Sequence, residues 1–207
     1  MKYDIFTLDE IKKRLSSAQL VRERKKWYGE QDHTRWVFFD GQNDQCIKLW
    51  NDTYVRKECV QQAIEGDFYD ENLIPAFRGL IYDSNEQCRG YVTQRCENIN
   101  VDAITWKRVL DYVKQKTKET RLFAYDFVPE HIMLYKKENC EPKINLIDLE
   151  GVYPIEEYSS LHDIHIKQQL QKSNNLWDFS LPYMSTRQMF MKNTAYEEYI
   201  IELLHSN

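Results

Sequence analysis

Glycine is scarce in this sequence, six in 207 residues, and none stand in the spacing G-x-G-x-x-G. The usual glycine-rich loop, whose backbone N–H groups wrap a phosphate, is therefore excluded. Cysteine is sparse as well. The five thiols (Cys46, Cys59, Cys88, Cys96, Cys140) are odd in number and none forms a C-x-x-C pair, so neither a disulfide framework nor a zinc finger is expected and all are read as reduced. No run approaches the ~20 apolar residues that span a bilayer, so no transmembrane segment is expected. Met1-Lys2-Tyr3-Asp4 puts charge where a signal peptide would begin its apolar stretch, and a cytoplasmic location is expected. A basic stripe is missing too: the formal net charge is -5, with Lys and Arg dispersed among Asp and Glu. Nucleic acid is not an expected partner.

What is present fits a globular chain. Hydrophobic residues make up 42% and charged residues 29%, and the length suits one ordinary domain or two lobes sharing an interface. The excess lies in aromatics, 14 Tyr and 5 Trp, which reads as core and lobe interface.

Thr7 and Glu10 form a capping-box pattern ahead of Leu8, Ile11 and Leu15 at helical spacing, so a short amphipathic helix is predicted. Trp36-Val37-Phe38-Phe39 and Cys46-Ile47-Lys48-Leu49-Trp50 flank the turn-rich Asp40–Asp44 and predict a hairpin. A helix is predicted from about Tyr54 to Glu65, ended by Gly66, with Val55, Cys59 and Ala63 on one face. A second antiparallel pair is expected over residues 76–82 and 90–94, about Asp83-Ser84-Asn85. From there the pattern is mostly helical: Asp102 to Glu119 with Ile104, Val109, Leu110 and Val113 apolar, then two short apolar runs between Leu122 and Val152, then helical periods near 161–171 and 187–204. The fold class is α+β, strand-rich first and helical second.

The informative segment is Asp126-Phe127-Val128-Pro129-Glu130-His131-Ile132-Met133-Leu134, followed by Ile144-Asn145-Leu146-Ile147-Asp148-Leu149-Glu150. It resembles the catalytic loop of protein kinases, R-D-L-K-P-E-N-I-L-L, and the apolar strand ending in D-F-G. The spacing Asp126 to His131, with Ile147-Asp148-Leu149, is similar to that of bacterial lipopolysaccharide-core sugar kinases, which carry D-x-x-x-x-H and I-D-L there.

This resemblance implies a bilobal protein-kinase-like fold, with a small antiparallel-sheet N-lobe over residues 1–98 and a reduced helical C-lobe over 99–207. It implies an ATP-dependent phosphotransferase using Mg²⁺ or Mn²⁺. Asp126 matches the base that takes the acceptor proton, and Asp148 the metal-binding aspartate. His131 stands where protein kinases have a second metal-binding Asn; imidazole suits softer ions such as Mn²⁺ better than Mg²⁺. Lys48, in Ile47-Lys48-Leu49, resembles the strand lysine that pairs the phosphates, with Glu58 as its carboxylate partner and Glu65 as the rival. Gln94 and Cys96 fall at the hinge that meets adenine. The single-glycine stretch Trp27 to Asp32 lies where the glycine-rich loop would be. No A-P-E motif follows Asp148, so either the acceptor is not a long peptide docked in the usual groove or the chain is a minimal kinase of the type some bacterial effectors use. The acceptor is a hydroxyl of a sugar-lipid or of a protein Ser, Thr or Tyr. The alternative is a pseudokinase, a protein-binding module on the same fold. His162 and His165 read as a solvated helix face rather than a metal site.

Overall fold

The computed structural model describes residues 2–24, 35–51, 57–124, 127, 129–147, 149–160, 196 and 198–205. The chain divides into two units, one made of Met1–Asn100 and His131–Gly151, the other of Val101–Glu130 and Val152–Asn207. The return of His131–Gly151 to the first unit is not visible in any composition shift.

The first unit is built on a six-stranded sheet. Its strands are β1 (Asp4–Thr7), β2 (Gln19–Arg24), β3 (Arg35–Asp40), β4 (Gln45–Trp50), β5 (Phe77–Tyr82) and β6 (Cys88–Gln94), in the order β1-β5-β6-β4-β3-β2. Only the β1–β5 pair is parallel. The hairpin expected about Asp40–Asp44 is present, with Phe38 opposite Ile47. Its turn is closed by Asp40, whose carboxylate accepts from the Gln42 amide at 3.2 Å and from Asn43 Nδ2 at 2.9 Å. The second pair is also found, longer at its start than expected, with β6 opening at Cys88.

Helix α1 (Leu8–Leu15) begins with the full capping box, Thr7 Oγ1 accepting from the Glu10 amide while the Glu10 carboxylate accepts from the Thr7 amide at 2.9 Å. Its Ile11 is buried with Ile47, Leu49, Ile81 and Val92, and Phe6, Leu8, Leu15, Trp36 and Phe38 pack around them. This cluster covers one face of the sheet. Helix α2 (Lys57–Glu65) packs on β6 and buries Val60, Ala63 and Ile64. It closes with the Gly66 amide donating to the Gln62 carbonyl; the expected first turn, including Val55, lies outside the described residues.

Three short strands complete this unit: β7 (Glu97–Asn98), β9 (Ile132–Tyr135) and β10 (Lys143–Leu146), in the antiparallel order β10-β9-β7. The two apolar runs expected in this region are β9 and β10.

The second unit carries α3 (Ala103–Thr120), β8 (Leu122–Ala124) and β11 (Val152–Pro154), the last two paired antiparallel. Asp102 caps α3 by accepting from the Thr105 amide at 2.6 Å. Ile104, expected on the apolar face, is instead 73% exposed. The buried stripe runs through Val109, Val113 and Thr117, and five residues at ~100° each put Ile104 about 140° away from Val109. Thr117 Oγ1 shares a 2.7 Å hydrogen bond with the Tyr196 hydroxyl, which also accepts from the Ala124 amide at 3.2 Å. Phe127 is buried here, stacked on Trp106 with centroids 4.7 Å apart and edge-on to Tyr196 at 5.7 Å. The helical periods near 161–171 and most of 187–204, with His162 and His165, lie outside the described residues; residues 198–205 are helical. Among the described residues no helix is long and apolar enough to cross a membrane.

Two substitutions test this architecture. A Cβ on Gly90 would sit 2.0 Å from the Lys48 carbonyl oxygen, at a φ of 155°. Gly90→Ala is therefore expected to cost about 1–3 kcal/mol through overpacking, read as a lower melting temperature; unchanged stability would show that the β4–β6 crossing relaxes freely. Tyr196→Phe leaves the buried Ala124 amide without its acceptor and is expected to cost about 1–3 kcal/mol. Burial raises the Tyr196 phenol above its ordinary value. Its contribution to stability is thus present below the unfolded pKa of about 10 and lost as pH rises beyond it. Thermal melts at rising alkaline pH should show a shallower decline in the Phe variant than in the parent.

Candidate functional site

The pleat of β4 sends alternate side chains to opposite faces. Ile47 and Leu49 enter the core, while Cys46 and Lys48 emerge on the other face. The neighbouring strands follow the same rule: Val92 in β6 and Trp36 and Phe38 in β3 belong to the core, and Tyr91, Thr93 and Val37 face away from it. On that second face lies a cavity of about 550 Å³ within the first unit. Val21, Val37, Ile74, Met133, Leu146 and Leu149 supply apolar walls; Lys48, Thr93, Gln94, Asn98, His131 and Asn145 supply polar ones.

Lys48 donates from Nζ to Glu150 Oε2 at 2.5 Å. The side chains are 14% and 1% exposed respectively, so the pair is sheltered from water. Tyr91, directly opposite Lys48 in the β4–β6 register, places its ring 5.5 Å from Nζ. Its hydroxyl accepts from the Leu149 amide at 3.5 Å.

One wall of the cavity is the chain after β6. The Gln94 amide donates to the Ala76 carbonyl at 2.7 Å and the Arg95 amide to the Asp44 carbonyl at 3.0 Å. The Gln94 side chain is committed to structure: Nε2 donates to the Asp44 carbonyl at 2.6 Å, and Oε1 accepts from Arg78 Nε at 3.2 Å. Buried Asn145 ties this wall to β10, accepting the Ala76 amide at 3.2 Å through Oδ1 and donating to Cys96 Sγ at 3.3 Å through Nδ2. Burial pushes the Cys96 thiol up to about 12, against a smaller opposing effect of that Asn145 bond. Burial raises the Cys46 thiol too, helped by Asp44 and opposed by Arg95.

At the far end, the Ile147 amide donates to the His131 carbonyl at 2.8 Å. The residue just before Asp148 is thus held beside His131 by the main chain. Among the described residues no group of three or more His, Cys, Asp or Glu side chains could hold a metal.

Of the residues read from sequence, Lys48, Gln94, Cys96 and His131 line one cavity. Glu58 is exposed on α2, and Glu65, also exposed, accepts from Gln61 Nε2 at 3.1 Å. Asp126, Asp148 and the stretch Trp27 to Asp32 lie outside the described residues. Sequence reasoning missed Glu150, Tyr91 and Asn145. A weak signal existed for the first, a second acid two residues after Asp148; the Tyr91 register opposite Lys48 belongs to the β4–β6 pairing, which joins the two hairpins and which neither turn encodes. Neither protein-family models nor curated proteins match the sequence of this chain.

The thiols give a direct check. With Cys96 and Cys46 protonated at neutral pH and Cys140 exposed, brief alkylation by iodoacetamide at about pH 8 should modify Cys140 first. Peptide mass spectrometry reads the order; Cys96 reacting as fast as Cys140 would contradict the sheltered wall.

Proposed function

We propose that this chain is an ATP-dependent phosphotransferase of protein-kinase-like fold, moving the γ-phosphoryl group to a hydroxyl acceptor. The observation that carries the reading is Lys48: a strand lysine, largely buried, lining a mostly apolar cavity. Protein kinases keep the phosphate-pairing lysine on the third strand of the nucleotide-binding sheet, with a helix after it. Counted from β2 along the antiparallel run, Lys48 stands on the third strand and α2 follows.

The cavity suits a nucleotide in size and chemistry. Its ~550 Å³ falls in the range of roughly 300–1,000 Å³ typical of small-molecule sites, which are apolar with a few placed polar groups. Val21, Val37, Ile74, Met133 and Leu146 offer purine-like contact. Because the amides of Gln94 and Arg95 are already donated to Ala76 and Asp44, a purine at that wall would meet the main chain at Cys96. By the resemblance, a divalent metal would be held by Asp148 and His131 and would neutralise phosphate charge. Asp126 is the assigned base for the acceptor hydroxyl. The acceptor class, sugar-lipid or protein side chain, stays as wide as the sequence left it.

A second reading has one observation in its favour. His131 in place of an amide-bearing ligand weakens a second Mg²⁺ site, which suits a pseudokinase that binds partners without turnover.

Thermal unfolding with ATP and Mg²⁺ or Mn²⁺ separates these readings. Ligand at about 100 times Kd should raise the melting temperature by roughly 5–10 °C, and Lys48→Met should remove most of that shift. Labelled ATP incubated with the protein alone or with lysate should transfer phosphate, and Asp148→Ala should abolish transfer with the fold intact. A shift without transfer favours the binding module; no shift with any nucleotide and metal overturns the nucleotide reading altogether.

A further inference from the structure

The resemblance to kinases assigned the carboxylate partner of Lys48 to helix α2, as Glu58. The geometry points elsewhere. Glu150, whose side chain is 1% exposed, accepts from Lys48 Nζ at 2.5 Å, whereas Glu58 is an exposed residue of α2. A second tie fixes the same segment, the Leu149 amide donating to the hydroxyl of Tyr91, whose ring lies against Lys48. Directly after Glu150 the chain turns at Gly151 with a φ of 94°, a conformation that glycine adopts without strain. These contacts come from separate groups, one side chain and one backbone amide, and both bind residues 149–150 to the facing β4–β6 pair.

We infer that Glu150 is the positioning residue that sets the Lys48 amine for the phosphates, so that the amine is anchored by the chain that follows β10. The inference rests on the nucleotide reading of the cavity. Its physical basis is the cost of a buried charge: a sheltered carboxylate keeps its charge only against a cation, and a flexible lysine keeps one rotamer only against fixed partners.

Kinetics and stability test the two halves of this statement. In the full-length protein Glu150→Gln should raise the KM for ATP about 10-fold or more and lower kcat, because the amine loses its charged anchor. Glu150→Asp should recover part of the loss. Glu58→Gln, a substitution on an exposed face, should leave both constants within about twofold. Without nucleotide, the melting temperatures of Lys48→Met, Glu150→Gln and the double variant should be non-additive by about 2–4 °C or more, while the Lys48→Met and Glu58→Gln pair should add. An unchanged KM in Glu150→Gln, a raised kcat in that variant, or a Glu58→Gln defect of the same size each overturns the inference. An additive Lys48–Glu150 cycle overturns the anchoring itself. A parent protein that binds no nucleotide overturns the functional reading instead, and the cycle still reports whether Glu150 holds Lys48.

Discussion

A lysine and a glutamate, both withdrawn from water, meet on the open face of the central sheet, and the organisation of the first unit follows from keeping them there. Removing one member of such a pair leaves an uncompensated charge, a loss of about 3–5 kcal/mol. The pair is therefore a constraint on every element that touches it. β4 must be pleated so that Lys48 faces away from Ile47 and Leu49, and β6 must lie close enough to lay Tyr91 against the amine. The chain beyond β10 must bring Glu150 to Lys48.

The same economy governs the opposite wall of the cavity. Asn145 has no apolar contribution to make to the core, yet it is buried, and its amide group bridges the Ala76 main chain and the Cys96 thiol. Gln94 locks the β3–β4 turn to the end of β6. Arg14 Nε reaches from α1 to Asp40 at 2.8 Å, joining the opening helix to that same turn. Polar side chains thus hold the rim of an apolar slot, which keeps the slot open without exposing its walls. The thiols of Cys46 and Cys96 sit in this sheltered zone, and burial keeps them protonated.

Local patterns carried the sequence reading a long way. The Thr7–Glu10 capping box and the hairpin about Asp40–Asp44 are each specified by neighbours within four or five residues, and each is found in its expected place. β1 and β2 were not legible. β1 is four residues long and depends on a parallel partner, β5, distant in the chain. β2, Gln-Leu-Val-Arg-Glu-Arg, lacks strict alternation and carries a register shift between Leu20 and Arg22. β7, β8 and β11 are two or three residues each, too short for any period to show.

Sequence alone determined the α+β class, helices α1 and α3 and the two hairpins; Lys48, Gln94, Cys96 and His131, singled out by their motifs, line one cavity. It could do so because side-chain period, turn chemistry and caps are local properties. The tertiary structure decided which carboxylate meets Lys48. Glu150 is 102 residues away in the chain, and a contact of that span depends on how His131–Gly151 returns to the first unit, which no local pattern encodes.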